Sequence, residues 1–168
     1  MGTQPAGSHP QPIESYLAAA EGLVGQIIRH GGFDLSFVAR KQPSAEMPES
    51  FAYVLDFSGA DQDLLLERNA ALLDALETVV LKAIHLEEDL FGRITLDCRD
   101  WRRLRVEELK LMAQVAAERV IESGDPFTLN AMTARERRIV HLALKDQTRV
   151  RTQSEGFGPE RRVVIVPA

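Results

Sequence analysis

The residues best suited to chemistry sit in one short run: Arg135, Glu136, Arg137, Arg138, Ile139, Val140, His141, Leu142, Ala143, Leu144 and Lys145. Arg137 and His141 are four apart, so on a helix they stand one turn above the other, with Lys145 a further turn along and Arg138 flanking them. Arginine offers a rigid fork of donors matched to phosphate oxygens. Histidine donates from a ring nitrogen in either protonation state and gains charge when a phosphate raises its pKa. A cationic stripe of this kind suits phosphate, and Arg149, Arg151, Arg161 and Arg162 add to it if the segments carrying them pair as strands. The competing reading is a solvated face on which Arg137 and His141 merely balance Glu136 and Asp146.

Other chemistries lack a starting residue. There is no GxSxG, no GxxxxGK[ST] and no dinucleotide fingerprint, which leaves nucleophilic, nucleotide-hydrolysing and hydride chemistry without an anchor and implies no cofactor and no enzyme. His9, His30, His85 and Cys98 form no pair with metal-ligand spacing, and Glu87, Glu88 and Asp89 are consecutive, so their carboxylates point in different directions. Cys98 ends an alternating apolar run and reads as core. Trp101 reads as a packing residue between modules, with base stacking as the alternative. Phe157, in the turn Gly156-Phe157-Gly158, is either a flat platform for an unstacked base beside Arg161 and Arg162 or a turn anchor.

The elements that must position these groups follow from patterning. The chain has 168 residues, 45% hydrophobic and 27% charged, enough for one domain or two small ones without disulfides. No run of about 18 apolar residues is present, and the expected location is cytoplasmic. Residues 1–100 hold 7 basic and 16 acidic side chains, net −9, and residues 101–168 hold 13 and 9, net +4, which together give −5. The α+β chain therefore divides into two modules, of which the second attracts anions.

Residues 1–12 are rich in Pro, Gly, Gln and Ser and are expected to be a disordered tail. Ile13 to His30 has helical periodicity ended by Gly31-Gly32. Phe33, Leu35 and Phe37 alternate, as do Phe51, Tyr53, Leu55 and Phe57 after a Pro-bounded turn, and Ile94, Leu96 and Cys98 later. Between them Asp61 to His85 reads as a helix broken once near Asn69. A helix from about Asp100 to Glu122 carries the stripe Leu104, Leu109, Met112, Val115, Ala116, Arg119 and Val120. After a short strand at Phe127 to Leu129, Thr133 and Glu136 form a capping box that starts the helix bearing Arg137 and His141. Ile139, Val140, Ala143 and Leu144 turn its other side to a core and leave the cationic stripe in water. Thr148 to Gln153 and Arg161 to Val166 close the chain as a strand pair.

The string LNAMTARERRIVHLAL from Leu129 to Leu144, followed by Thr152, Ser154, Glu155, Gly156 and RRVVIVP from Arg161 to Pro167, resembles the R-3-H domain. That domain is named for an Arg and a His separated by three residues, here Arg137 and His141. The resemblance implies a module binding single-stranded RNA or DNA through those two side chains on an exposed helix face, without catalysis. The order of elements before it is similar to the bacterial Jag (SpoIIIJ-associated) proteins, which place a type II KH domain directly ahead of the R-3-H domain. This implies a KH-like domain over residues 13–99 and an R-3-H domain over 100–168. The family's GxxG loop falls on Glu67, Arg68, Asn69 and Ala70, aligned on LDAL at Leu73 to Leu76, so both glycines are missing. Side chains there hold phosphate away, and Glu67 with Asp61, Asp63, Asp74 and Glu77 repels it. Arg68 is the remaining candidate contact in that loop. The family's separate N-terminal Jag domain is expected to be missing.

The expected partner is thus a single nucleic-acid strand held by Arg137, His141, Arg138 and Lys145, with Arg149, Arg151, Arg161 and Arg162 extending the track. The alternative is a protein-interaction adaptor, because members of the resembled family are linked with a membrane insertase and with control of cell elongation. Membrane association would then come only through such a partner. Base preference, RNA against DNA and oligomeric state are left open by the sequence.

Overall fold

The computed structural model describes residues 12–43, 51–90 and 92–168. The expected tail before Pro12, His9 within it, and the Pro-bounded turn before Phe51 lie outside the described residues. The chain divides after Trp101 into two compact units, Met1–Trp101 and Arg102–Ala168.

The first unit runs α1 (Ile13–Gly31), β1 (Ser36–Pro43), β2 (Phe51–Ser58), α2 (Gln62–Ala83) and β3 (Ile94–Cys98). Its three strands lie in the order β1-β2-β3, the first pair antiparallel and the second parallel. Helix α1 sets Tyr16, Ala20 and Val24 at three-and-four spacing against Leu55, Phe57, Ile94 and Leu96 of the sheet. It ends at Gly32, whose left-handed φ of 68° lets its N–H close on Ile28 O. Cys98 is fully buried in this core, and burial, with Asp56 and Asp97 nearby, pushes its thiol pKa up, as a core residue requires.

Two features depart from the sequence reading. The first strand begins at Ser36, not at Phe33, because the Asp34 N–H donates to Asp61 Oδ2 at 2.8 Å and its carbonyl accepts from the Asp61 N–H. That residue is thereby tied to the start of α2, and ladder pairing starts only at Ser36 opposite Ser58. Glu77 does not simply repel phosphate, since its Oε2 accepts the Leu96 N–H at 2.8 Å on strand β3.

The expected break in the long helix falls where the sequence placed it. Glu67 is extended (φ −58°, ψ 149°), and Arg68, Asn69 and Ala70 follow in the left-handed region at φ 51°, 59° and 59°. Asparagine tolerates that conformation, whereas arginine and alanine pay roughly 1–2 kcal/mol for it. Ala70 is held there because its methyl group is fully buried in the core with Leu65 and Leu73. Only Glu67, Arg68 and Asn69 face water, so Ala70 does not stand between the backbone and a phosphate.

The second unit runs α3 (Trp101–Ser123), β4 (Phe127–Thr128), α4 (Ala134–Ala143), β5 (Val150–Glu155) and β6 (Arg162–Pro167), with strands antiparallel in the order β4-β6-β5. Helix α3 buries Leu109, Ala113, Ala116, Ala117 and Val120. Leu104 and Val115, expected on that stripe, are instead 52% and 57% exposed. They lie on the opposite side of the helix from Ala113, and alanine at 113, 116 and 117 lets the backbone rather than long side chains approach the sheet.

Replacing Arg68 by glycine removes its left-handed penalty and is expected to raise unfolding free energy by about 0.5–1 kcal/mol. Ala70→Gly should change it less, because relief of strain is offset by about 0.8 kcal/mol for the lost buried methyl. Urea unfolding of the two variants checks this, and equal effects would refute the different placement of the two side chains.

Candidate nucleic-acid interface

Helix α4 is positioned from its N-terminus. The Thr133 N–H donates to Glu136 Oε2 at 2.8 Å and the Glu136 N–H donates to Thr133 Oγ1 at 3.3 Å, which is the expected capping box. The second oxygen, Oε1, accepts Arg105 Nε at 2.7 Å, and Arg105 Nη1 reaches Glu108 at 2.7 Å. Arg105 and Glu136 are 14% and 17% exposed, so this pair is largely shielded from water. Burial alone would raise the Glu136 pKa, but the bonds from Arg105 and Thr133 outweigh it and leave it below 4.5. Arg105 was not singled out from the sequence. It lies 31 residues from Glu136, and no local pattern links the two.

Val140 and Leu144 are buried and fasten the helix to Val163 and Ile165 of the sheet, each such side chain contributing about 1.5–3 kcal/mol. One turn of the opposite side then carries Arg137 and His141. Neither stands fully in water as expected; both are half-buried. Arg137 Nη1 donates to Met132 O at 2.8 Å. His141 Nδ1 lies 2.6 Å from Thr152 Oγ1 and its Nε2 lies 3.0 Å from Ser154 Oγ, so both ring nitrogens are engaged. Burial first, and the Arg137 charge second, hold the imidazole pKa below 6.5. The ring is neutral at pH 7, contrary to the charged clamp the residue types suggested.

Thr152 and Ser154 are functional residues to which the sequence reading gave no role of their own. They are two apart on β5 and so share a face. An alternating pair of hydroxyls on a strand that closes against a histidine-bearing helix is the signal that could have found it.

The remaining cations divide between two surfaces. Arg138 is exposed on α4, and Lys145 is exposed in the turn after Ala143, since the helix ends before reaching it. Arg161 joins the His141 side: its carbonyl accepts the Met132 N–H at 3.1 Å, and Met132 is the residue whose carbonyl holds Arg137. Arg151 and Arg162 do not. Val150, Thr152 and Ser154 face the core and α4, and Arg151 alternates with them, opposite Val166, while Arg162 lies opposite Glu155. The Ala168 N–H donates to Arg149 O, which extends the ladder one residue and sets Arg149 on the Arg151 side. The strand arginines therefore do not prolong the α4 surface in one plane.

Phe157 is 92% exposed at the tip of the β5–β6 connection, so it does not anchor the turn. The turn is set instead by Gly156, at φ 85°, where a Cβ would lie 3.1 Å from Glu160 O. Trp101 packs against the first unit's core. Among the described residues no cluster of His, Cys, Asp or Glu could hold a metal ion, and no helix is long and apolar enough to cross a membrane.

The fold and the Arg-x-x-x-His pair of the second unit define an R-3-H domain, and the model of that family matches residues 107–167. An RNA-binding protein KhpB of Clostridium symbiosum is 31% identical over 111 residues, 66% of this chain and 50% of its own. The protein of that name from Lactiplantibacillus plantarum is 31% identical over 111 residues, 66% of this chain and 34% of its own. That from Bacillus subtilis is 29% identical over 110 residues, 64% and 53%. The chain spans a third to about half the length of these curated relatives. It belongs to the Jag/KhpB family.

Two outcomes follow from this geometry. Arg105→Ala leaves Glu136 shielded and without its ion-pair partner and is expected to cost about 3 kcal/mol in urea unfolding, with Arg105→Lys recovering only part because lysine lacks the fork. His141 should titrate below 6.5 by NMR. The unfolded chain then takes up the proton first, so stability is unaffected above about pH 6.5 and falls as the pH drops through that value toward the folded pKa. A His141→Gln variant should lose this part of the pH dependence.

Proposed function

We propose that the second unit binds single-stranded nucleic acid without catalysis, and that RNA is its ligand. The observation that carries this reading is the Arg137–His141 pair, half-exposed and held by Met132 O, Thr152 and Ser154, beside the exposed cations Arg138, Lys145 and Arg161. The family match and the name RNA-binding protein carried by the relatives support the same ligand. Arg137 directs its remaining donors at a phosphate, and the neutral imidazole contributes a hydrogen bond rather than a full charge. Phe157 offers a ring on which a base can stack. The setting we propose is cytoplasmic, and the first unit is a KH-like module whose Glu67–Ala70 loop adds little.

One observation favours an adaptor role as the second reading. The loop carries Glu67 into water where a phosphate-binding loop would carry glycine, and Ile27, Ile28, Phe33, Leu35, Leu64 and Leu72 line an apolar cavity of about 60 Å³ beside it. In that reading a protein partner, of the insertase or cell-elongation kind, replaces RNA as the main ligand.

Titration of labelled single-stranded RNA and DNA against the full chain and an Arg137→Ala, His141→Ala double variant separates the two. With about three or four phosphates neutralised, affinity should fall with salt at a log-log slope of roughly −2 to −3. The double variant should lose most binding while keeping its far-UV spectrum. Equal binding by both proteins, or none by the wild type, would refute the RNA reading.

A further inference from the structure

Strand β5 is at the edge of its sheet, paired to β6 on one side only among the described residues. Its alternate residues serve opposite surfaces. Thr152 and Ser154 hold the His141 ring on the α4 side, while Arg151 and Gln153 project from the other face. On that second face Arg151 lies beside Val166 and Gln153 beside Val164, with Arg162 and Glu155 opposite one another at the far end. Arg149 continues the row. Arg149, Arg151 and Arg162 are exposed and take part in no ion pair among the described residues, although Glu155, whose carboxylate accepts from Gln153 Nε2 at 3.3 Å, lies across from Arg162. Three cations against one carboxylate leave this face net positive. No second layer of the unit's hydrophobic core covers it, since that core draws on Val150, Val163 and Ile165 from the strands but not on Val164 or Val166.

We infer that this open sheet face is a second phosphate-binding surface, reached by the same nucleic-acid strand after it passes over the free edge of β5. The inference rests on the proposed binding at Arg137 and His141 and adds the path beyond it. Thr152 and Arg151 are consecutive, with Cα atoms about 3.8 Å apart, so a strand leaving the His141 hydroxyl cluster meets the arginine row on rounding a single backbone. The edge also presents unpaired backbone N–H and C=O groups along the crossing. A short ligand fills the α4 side alone. A longer one engages both faces, so affinity depends on length through residues that do not touch the first nucleotides.

Single-stranded oligouridylates of about 4 and about 12 nucleotides are titrated by fluorescence anisotropy against the full chain and an Arg151→Ala, Arg162→Ala variant, at two salt concentrations. Both positions are exposed, and a far-UV spectrum confirms that the variant keeps its fold. The expected result is unchanged binding of the short oligomer, about tenfold weaker binding of the long one, and a salt slope for the long one shallower by roughly 1.4, or 0.7 per lost phosphate. Arg151→Lys, Arg162→Lys should restore the slope. Equal loss for both lengths, or no loss for either, overturns the inference, the second outcome pointing to an acidic protein surface as the ligand of this face. The Arg137→Ala, His141→Ala variant run alongside loses both lengths if the underlying reading holds. If it binds both as the wild type does, that reading has failed rather than the path.

Discussion

The geometry of the second unit depends on one carboxylate. Glu136 gives one oxygen to the N-terminus of α4 and the other to Arg105 of α3, so the same side chain starts the helix and fixes it to its neighbour. A capping box alone sets where a helix begins but not where it points. An ion pair alone, at the surface, would add little, but here both partners are mostly shielded and share a fork of short bonds. The rotation of α4 is thereby determined at its first turn. Val140 and Leu144 then face the sheet, and Arg137 and His141 come to the boundary between core and water.

That boundary position decides how the pair can act. Fully exposed, His141 would be a weak cation with mobile orientation. Half-buried beside Arg137 it is neutral, and two hydroxyls hold its ring. Arg137 is likewise tied by one nitrogen to Met132 O and keeps its other donors. The arrangement gives up charge for fixed direction at these two residues and leaves full charge to the exposed side chains of Arg138, Lys145 and the strand arginines. Orientation and attraction are thus divided between different groups, which suits a ligand whose phosphates are uniform and whose path has to be defined.

Much of this was legible in the sequence where the controlling interaction was local. The capping box spans three residues, the Gly32 helix stop one, and the break at residues 67–70 shows as loss of helical character around Asn69; all three were found in place. Features set by distant partners were not legible. The start of β1 is displaced by an Asp34–Asp61 contact 27 residues apart, and the orientation of α4 by an Arg105–Glu136 contact 31 apart. On α3, apolar residues occur on two sides, and only the alanines at 113, 116 and 117 mark the side that packs. The sidedness of Arg151 and Arg162 was readable in principle. Val150, Thr152 and Ser154 alternate with Arg151, but the reading required knowing that the hydroxyls, and not the arginines, face the helix.

The loop in α2 makes the same point from the other direction. A pair of missing glycines suggests side chains thrust outward at both positions, yet Ala70 turns its methyl inward and only Glu67 meets solvent. The backbone keeps a left-handed turn of three residues without any glycine to ease it, because burial of Ala70 between Leu65 and Leu73 supplies free energy comparable to the strain. The turn is therefore a feature of how the two halves of α2 pack on the core. Its shape persists independently of whether its outer residues still suit a phosphate, and in this chain a carboxylate stands where they would have to.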